Sequence, residues 1–236
     1  MKQTRPRVII MNAALQTPTA ESVKAACERF DRENELIEQT LAELFQQYPR
    51  NDDLRHVLLK VVAVNALYHT CIYALDTVAR HIHAHASEID AALAAGSHKI
   101  VDKIAKVRVQ GKVHNFFSFA TKYCSWHQPD KYPIYDSRVD TYLWNLQQQN
   151  AFAAAFIHPH LWDYPKFHKI VVTFRDAHGL HAFTFKEIDK FLYLQGEPKS
   201  LPIPDEPQPG VGAFDFFPMQ EASVEEPPIT AIHQSA

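Results

Sequence analysis

Apolar side chains recur three, four and seven residues apart along one stretch of this chain after another, a pattern that leaves little to build a sheet from. The longest run follows Thr19. Val23, Ala26, Cys27, Phe30, Leu36, Ile37, Leu41, Leu44 and Phe45 share one helical face until Pro49 ends it, with a bend expected near Asp31. Asp52 or Asp53 then caps a helix from Leu54 to about Tyr68, and a further helix is expected from Thr70 to about His85. Ser87-Glu-Ile-Asp90 opens a short helix closed by Gly96. Helices are expected over about 97–107, 115–127, 137–149, 151–157, 166–177 and 184–195. Only Val8–Met11 and Val107–Lys112 read as strands, so the class is all-α.

Composition divides the chain and removes several function classes. From Glu197 onward lie eight of the 15 prolines and seven acids against the single Lys199. The expected division is an N-terminal arm (1–18), a helical domain (19–196) and a Pro-rich, acidic, mostly disordered tail (197–236). The apolar Gly212–Met219 segment makes the tail a candidate for docking onto the body or onto a protein partner. Without the tail, the first 196 residues hold 23 basic and 20 acidic side chains, a mild positive balance compatible with a polyanionic partner. Cys27, Cys71 and Cys124 are too sparse for a disulfide framework or a four-thiolate zinc site, which fits a reducing cytoplasm. The longest nearly apolar stretch, Val57 to Leu67, is shorter than the roughly 20 residues a membrane span needs. No P-loop, Rossmann glycine pattern or Gly-x-Ser-x-Gly occurs.

Chemistry is concentrated between Ile104 and Asp136. Lys99, Lys103, Lys106, Arg108, Lys112 and Lys122 face Asp102 alone, and this charge, set over two expected helix ends and a turn holding Gly111, suits phosphates. Lys122 differs from the others in its neighbours, Phe119, Ala120, Tyr123, Cys124 and Trp126. Burial among such groups penalises the ammonium and leaves more neutral amine to attack carbon. A helix advances about 7.5 Å from Lys122 to His127, whereas the residues from Pro129 to Asp136 can reach back about 23 Å. Asp136 can therefore return beside Lys122, and it is also a good N-cap for the helix opening at Ser137. Capping keeps its carboxylate ionised, able to stabilise a sugar oxocarbenium while an amine attacks the anomeric carbon. Asp140 is a spare carboxylate one turn on.

Thr121-Lys122 followed by Pro133-Ile-Tyr-Asp136 resembles the helix-hairpin-helix DNA glycosylases, most nearly the 8-oxoguanine DNA glycosylase fold group with its small bacterial members among anti-phage systems. Val64-Asn-Ala-Leu-Tyr68 is similar to that group as well, and the likeness spans roughly 54–195. It implies a helix-hairpin-helix glycosylase-like helical domain that excises a damaged or modified base from DNA, in repair or in defence against phage. Lys122 is then the amine nucleophile and Asp136 the assisting carboxylate, with no metal or organic cofactor; a Schiff base would permit strand cleavage by β-elimination. The chain departs at the turn, where Val109-Gln-Gly-Lys-Val113 has one glycine instead of Gly-Val-Gly. Lys106, Arg108, Lys112 and His114 are the expected DNA contacts, and Phe116, Tyr123, Trp126 and Tyr135 the expected walls of a pocket for a flipped base.

Two other constellations compete. His81 and His85 have a spacing used by zinc sites but no acid partner, and Arg80 with His85 matches the Arg-x4-His pattern of HEPN-type helical ribonucleases. A third reading is a non-catalytic helical module binding DNA or protein, with Lys122 and Asp136 only a structural ion pair. Burial of the two against each other with no cleft favours that reading, a groove lined by Lys106, Arg108 and Lys112 and ending at an accessible Lys122 favours the glycosylase, and a symmetric dimer bringing two Arg80/His85 pairs together favours the ribonuclease.

Overall fold

The computed structural model describes Leu15 and residues 17–196; the strand expected at Val8–Met11 and the tail from Glu197 lie outside the described residues. Nine α-helices are described: α1 (Ala20–Gln47), α2 (Leu54–Leu67), α3 (Leu75–Ala84), α4 (Ala86–Ala95), α5 (Lys99–Ala105), α6 (Phe117–His127), α7 (Ser137–Asn150), α8 (Tyr164–Ala177) and α9 (Phe185–Gln195). A 3-10 turn (His158–Trp162) precedes α8, and β1 (Lys106–Val109) pairs antiparallel with β2 (Lys112–Asn115). The described protein is thus mostly helical, and no helix in it is long and apolar enough to cross a membrane.

Local chemistry sets most helix ends. Thr19 and Ser22 form a reciprocal capping box at α1, and Thr184 and Glu187 do the same at α9. Asp53 caps α2, Asp136 caps α7, and Gly96 ends α4 in the left-handed region.

Three expected helices change. The one expected from Thr70 begins only at Leu75, because the chain reverses after α2. His69 and Cys71 take positive φ, and the side-chain Oδ1 of Asn65 accepts from Thr70 Oγ1 and the Ile72 amide, each at 2.8 Å. No helix forms over 151–157, since α7 ends at Ala151 in the left-handed region and Gln147 holds Ala153 through both its amide groups. The basic helix expected to reach residue 107 stops at Ala105, and a β-hairpin follows. Its β-branched residues alternate, and Gln110 and Gly111 both take positive φ, the geometry of a type I′ turn. Between α5 and α6 there is therefore a two-stranded hairpin in place of a simple turn, spanning the strand expected at Val107–Lys112.

Helix α1 packs along α9, α2 against α3, α5 against α6, and α7 against α9. At the last crossing Gly196, just past α9, abuts the backbone of Arg138 so closely that a Cβ there would overlap the Arg138 carbonyl. Gly196→Ala should lower stability by about 2 kcal/mol, measurable as a shifted urea midpoint at unchanged slope. An unchanged midpoint would show that the end of α9 relaxes freely.

Candidate functional site

The segment from Pro133 to Asp136 is tied down from three sides. Tyr164 on α8 donates its hydroxyl to the Pro133 carbonyl at 2.9 Å, and Asp189 on α9 accepts the Ile134 amide at 2.9 Å. Thr121 on α6 donates to the Tyr135 carbonyl at 3.3 Å and accepts the Tyr135 amide at 3.1 Å. These bonds bring Asp136 onto α6, where Lys122 meets it.

Lys122 is only 1% exposed. Its Nζ donates to Ser118 Oγ at 2.6 Å, the Tyr135 carbonyl at 3.2 Å and Asp136 Oδ2 at 3.1 Å, which occupies all three ammonium protons. It also lies 5.5 Å from the Tyr68 ring centroid. Burial pushes the Lys122 amine below its ordinary value, and the Asp136 charge partly restores it. For Asp136, burial alone would raise the carboxyl, but Lys122 and the Arg138 amide outweigh it and hold the acid below its usual range. Oδ1 of Asp136 accepts that amide at 3.0 Å, so one carboxylate caps α7 and faces the lysine.

Both groups line a cavity of about 310 Å³. Phe30, Asn34, Ile37 and Glu38 of α1 form one wall, Leu67 and Tyr68 at the end of α2 another, and Lys186, Asp189, Lys190 and Tyr193 of α9 a third. Lys186 is held by Glu38 at 3.0 Å and sits 3.9 Å from the Trp126 ring centroid. Trp126 Nε1 donates to the Tyr68 hydroxyl at 3.2 Å. Burial pushes the Tyr68 phenol well above its ordinary value, so it keeps its proton.

None of the four aromatics expected to wall a base pocket lines this cavity. Successive helical residues point about 100° apart, so the neighbours of Lys122 on α6 face elsewhere. Tyr123 is fully buried in the core and donates to Asn51 Oδ1 at 2.6 Å. Trp126 stands behind Tyr68 and Lys186. The Tyr135 hydroxyl goes to Asp140 at 3.0 Å while its carbonyl serves Lys122, and the Phe116 ring stacks 5.8 Å from His114. The aromatic walls come instead from Phe30, Tyr68 and Tyr193, far apart in sequence. Of these, only Tyr68 lay in a segment that the motif pattern had marked.

Lys106, Arg108, Lys112 and His114 sit on the β-hairpin, outside the cavity lining. Lys106 pairs with Asp102 at 2.6 Å, and Arg108 donates to the Gly111 carbonyl at 2.9 Å. Asp140 is not spare: His158 at 2.7 Å, Tyr135 at 3.0 Å and Trp162 at 3.1 Å all hold it. Arg80 pairs with Asp76 at 2.9 Å, while His85 Nδ1 meets the His81 carbonyl at 2.9 Å. Among the described residues no group of three or more His, Cys, Asp or Glu could hold a metal ion.

A family model designated HI_0787_N and described as an N-terminal domain matches residues 22–131, a span that includes Lys122 and stops short of Asp136. An uncharacterized protein of Haemophilus influenzae (strain ATCC 51907 / DSM 11121 / KW20 / Rd) is 37% identical over 147 residues, covering 61% of this chain and 69% of that one. The chain belongs to the family of that Haemophilus protein. No solved structure matches. The family model's match runs from within α1 to past the end of α6.

Proposed function

We propose that the protein is a DNA glycosylase of the helix-hairpin-helix type, releasing a damaged or modified base, with Lys122 as nucleophile and Asp136 as the assisting carboxylate. The observation that carries this reading is a desolvated lysine 3.1 Å from a capped carboxylate, both on the wall of a cavity large enough for a heterocycle. A structural ion pair alone would need no cavity there. The Lys122 lone pair forms a bond to C1′ as the glycosidic electron pair leaves with the base. Asp136 offsets the positive charge that develops on the sugar. Opening of the sugar ring then gives an imine to Lys122, which borohydride reduces to a stable secondary amine. The hairpin bearing Lys106, Arg108, Lys112 and His114 joins directly to α6 and supplies cationic contacts for DNA phosphates.

The test is borohydride trapping on duplexes carrying an abasic site, 8-oxoguanine or a hypermodified cytosine. The wild-type protein should form a covalent adduct, and Lys122→Gln, shown to be folded by a cooperative melt, should form none. Absence of any adduct and any released base with the wild-type protein would overturn the proposal. Attack needs the free amine, so the rate should rise with pH as Lys122 loses its proton, with a midpoint below the ordinary lysine value of 10.5. A rate independent of pH up to that value would argue against amine attack.

A further inference from the structure

Outside the cavity lining, α8 and the residue that opens α5 bring together three basic side chains that no acid answers. The His98 ring lies on the His168 ring with 3.9 Å between centroids. Phe185, the first residue of α9, meets His168 edge to face at 5.2 Å and carries the Arg175 guanidinium over its ring at 4.8 Å. Arg175 follows His168 by about two helical turns, and helical side chains lean toward the N-terminus, so the guanidinium reaches back along α8 toward the imidazole. All three side chains are half-buried, and among the described residues none makes a side-chain hydrogen bond or an ion pair. Arg175 Nε is buried without a partner, whereas its two terminal nitrogens and the ring nitrogens of both histidines reach the surface. The neighbouring acids are engaged elsewhere, Asp176 with His181 at 3.2 Å and Glu187 with Thr184. Lys99 and Lys169, which follow the two histidines in sequence, are exposed and also unpaired among the described residues. Burial, His98 and Arg175 pull the His168 imidazole down to about 4, so at neutral pH it is an uncharged N–H donor beside a permanent cation.

We propose that Arg175, His168 and His98 form a phosphate-binding site, apart from the Lys122 cavity, that takes either a phosphodiester of a nucleic-acid backbone or a free phosphate group. The inference does not depend on the glycosylase reading. An acceptor-free guanidinium laid flat on a phenyl ring is a preorganised fork, and its terminal nitrogens suit two oxygens of one oxyanion. A planar carboxylate has no further oxygen once that fork is filled, whereas a tetrahedral phosphate keeps others out of the plane for an imidazole N–H. The unpaired Lys99 and Lys169 add charge that favours a dianion, or the next phosphate along a strand, over a monovalent ion.

Calorimetric titration of the full-length protein with inorganic phosphate, at an ionic strength held constant with chloride, tests the site. Arg175→Met keeps an apolar stem over Phe185 and removes the fork, and His168→Phe keeps the stack on His98 and removes the donor. The expected result is saturable binding of phosphate to wild type, at least tenfold weaker in Arg175→Met and at least threefold weaker in His168→Phe. Arg80→Met, which removes an exposed arginine already paired with Asp76, should bind within twofold of wild type. Should a variant fail to fold, backbone amide shifts of the wild-type protein decide: phosphate should move the signals of His98, His168 and Arg175 most. No saturable binding to wild type, phosphate binding unchanged in either site variant, or shifts centred elsewhere would overturn the inference. Adding an undamaged DNA duplex to the phosphate complex then distinguishes the source. Displacement of phosphate by the duplex assigns the site to the nucleic-acid backbone, and phosphate that stays bound assigns it to a free phosphate group; either keeps the site. None of these readouts involves base release or trapping, so failure of the glycosylase reading would leave them unmoved.

Discussion

Asp136→Asn is expected to slow base release by roughly 100- to 1000-fold, the usual effect of removing one preorganised electrostatic group at a site of developing charge, while leaving the borohydride adduct with a preformed abasic site in place. The two readouts separate because the carboxylate is needed while the glycosidic bond breaks and an oxocarbenium forms. An abasic sugar already has its aldehyde, and Lys122 can condense with it unaided. Stability should fall too: asparagine can cap α7 and keep the bond to the Arg138 amide, but it leaves the buried Lys122 ammonium without its counter-charge. The pH profile should move as well. The Asp136 charge raises the Lys122 amine against the larger lowering by burial, so removing it lets Lys122 deprotonate at lower pH and shifts the rising limb downward. Equal loss of adduct and base release would reduce Asp136 to a positioning residue for the lysine.

Lys60→Met should cost about 3 kcal/mol of stability, a few buried acceptors left without a donor, and lower Tm by roughly 6–12 °C for a domain of this size. Lys60 is fully buried on α2, where the sequence shows only a lysine interrupting an apolar run. Its Nζ donates to the carbonyls of Tyr48 and Arg50 at 3.0 and 2.9 Å and to Asn51 Oδ1 at 2.9 Å, and lies 3.2 Å from His127 Nε2. It thereby fixes the link from α1 to α2, which Asn51 in turn anchors to Asp90 on α4. Methionine fills the space but leaves two backbone carbonyls bare. Burial also pushes the Lys60 amine down to about 8 from 10.5. The folded state therefore releases this proton before the unfolded state does, and between those values the unfolded chain binds more protons. Stability contributed by this group must rise with pH across that window. The methionine variant lacks that rise, so the gap between the two proteins should widen from pH 7.5 to 9.5 in urea melts. A gap that narrows would show that the neutral amine cannot hold the loop.

Helix existence was legible wherever local chemistry dictated it. The face running from Val23 to Phe45, the caps at Thr19 and Asp136, the choice of Asp52 or Asp53 for α2, and the stop at Gly96 all follow from side chains within one turn of the element they govern. The missed breaks have longer-range or subtler causes. Asn65 captures the reversal after α2 through groups five and seven residues away. At 106–115 the strand read at Val107–Lys112 becomes a hairpin, its alternating β-branched residues and Gln-Gly turn taking over the end of the helix expected to reach 107.

For the site, the sequence by itself determined that a lysine among apolar neighbours and an N-capping aspartate lay close enough in the chain to meet. Only the tertiary structure decided that they do, because the bonds locking Pro133–Asp136 in place come from Tyr164, Asp189 and Thr121 on three different helices. It also chose the cavity walls. A helical residue shares its face with residues three and four away rather than with its immediate neighbours. The aromatics adjacent to Lys122 therefore went into the core or behind the site, and the space in front of it was enclosed by α1, the end of α2 and α9, which no local pattern connects.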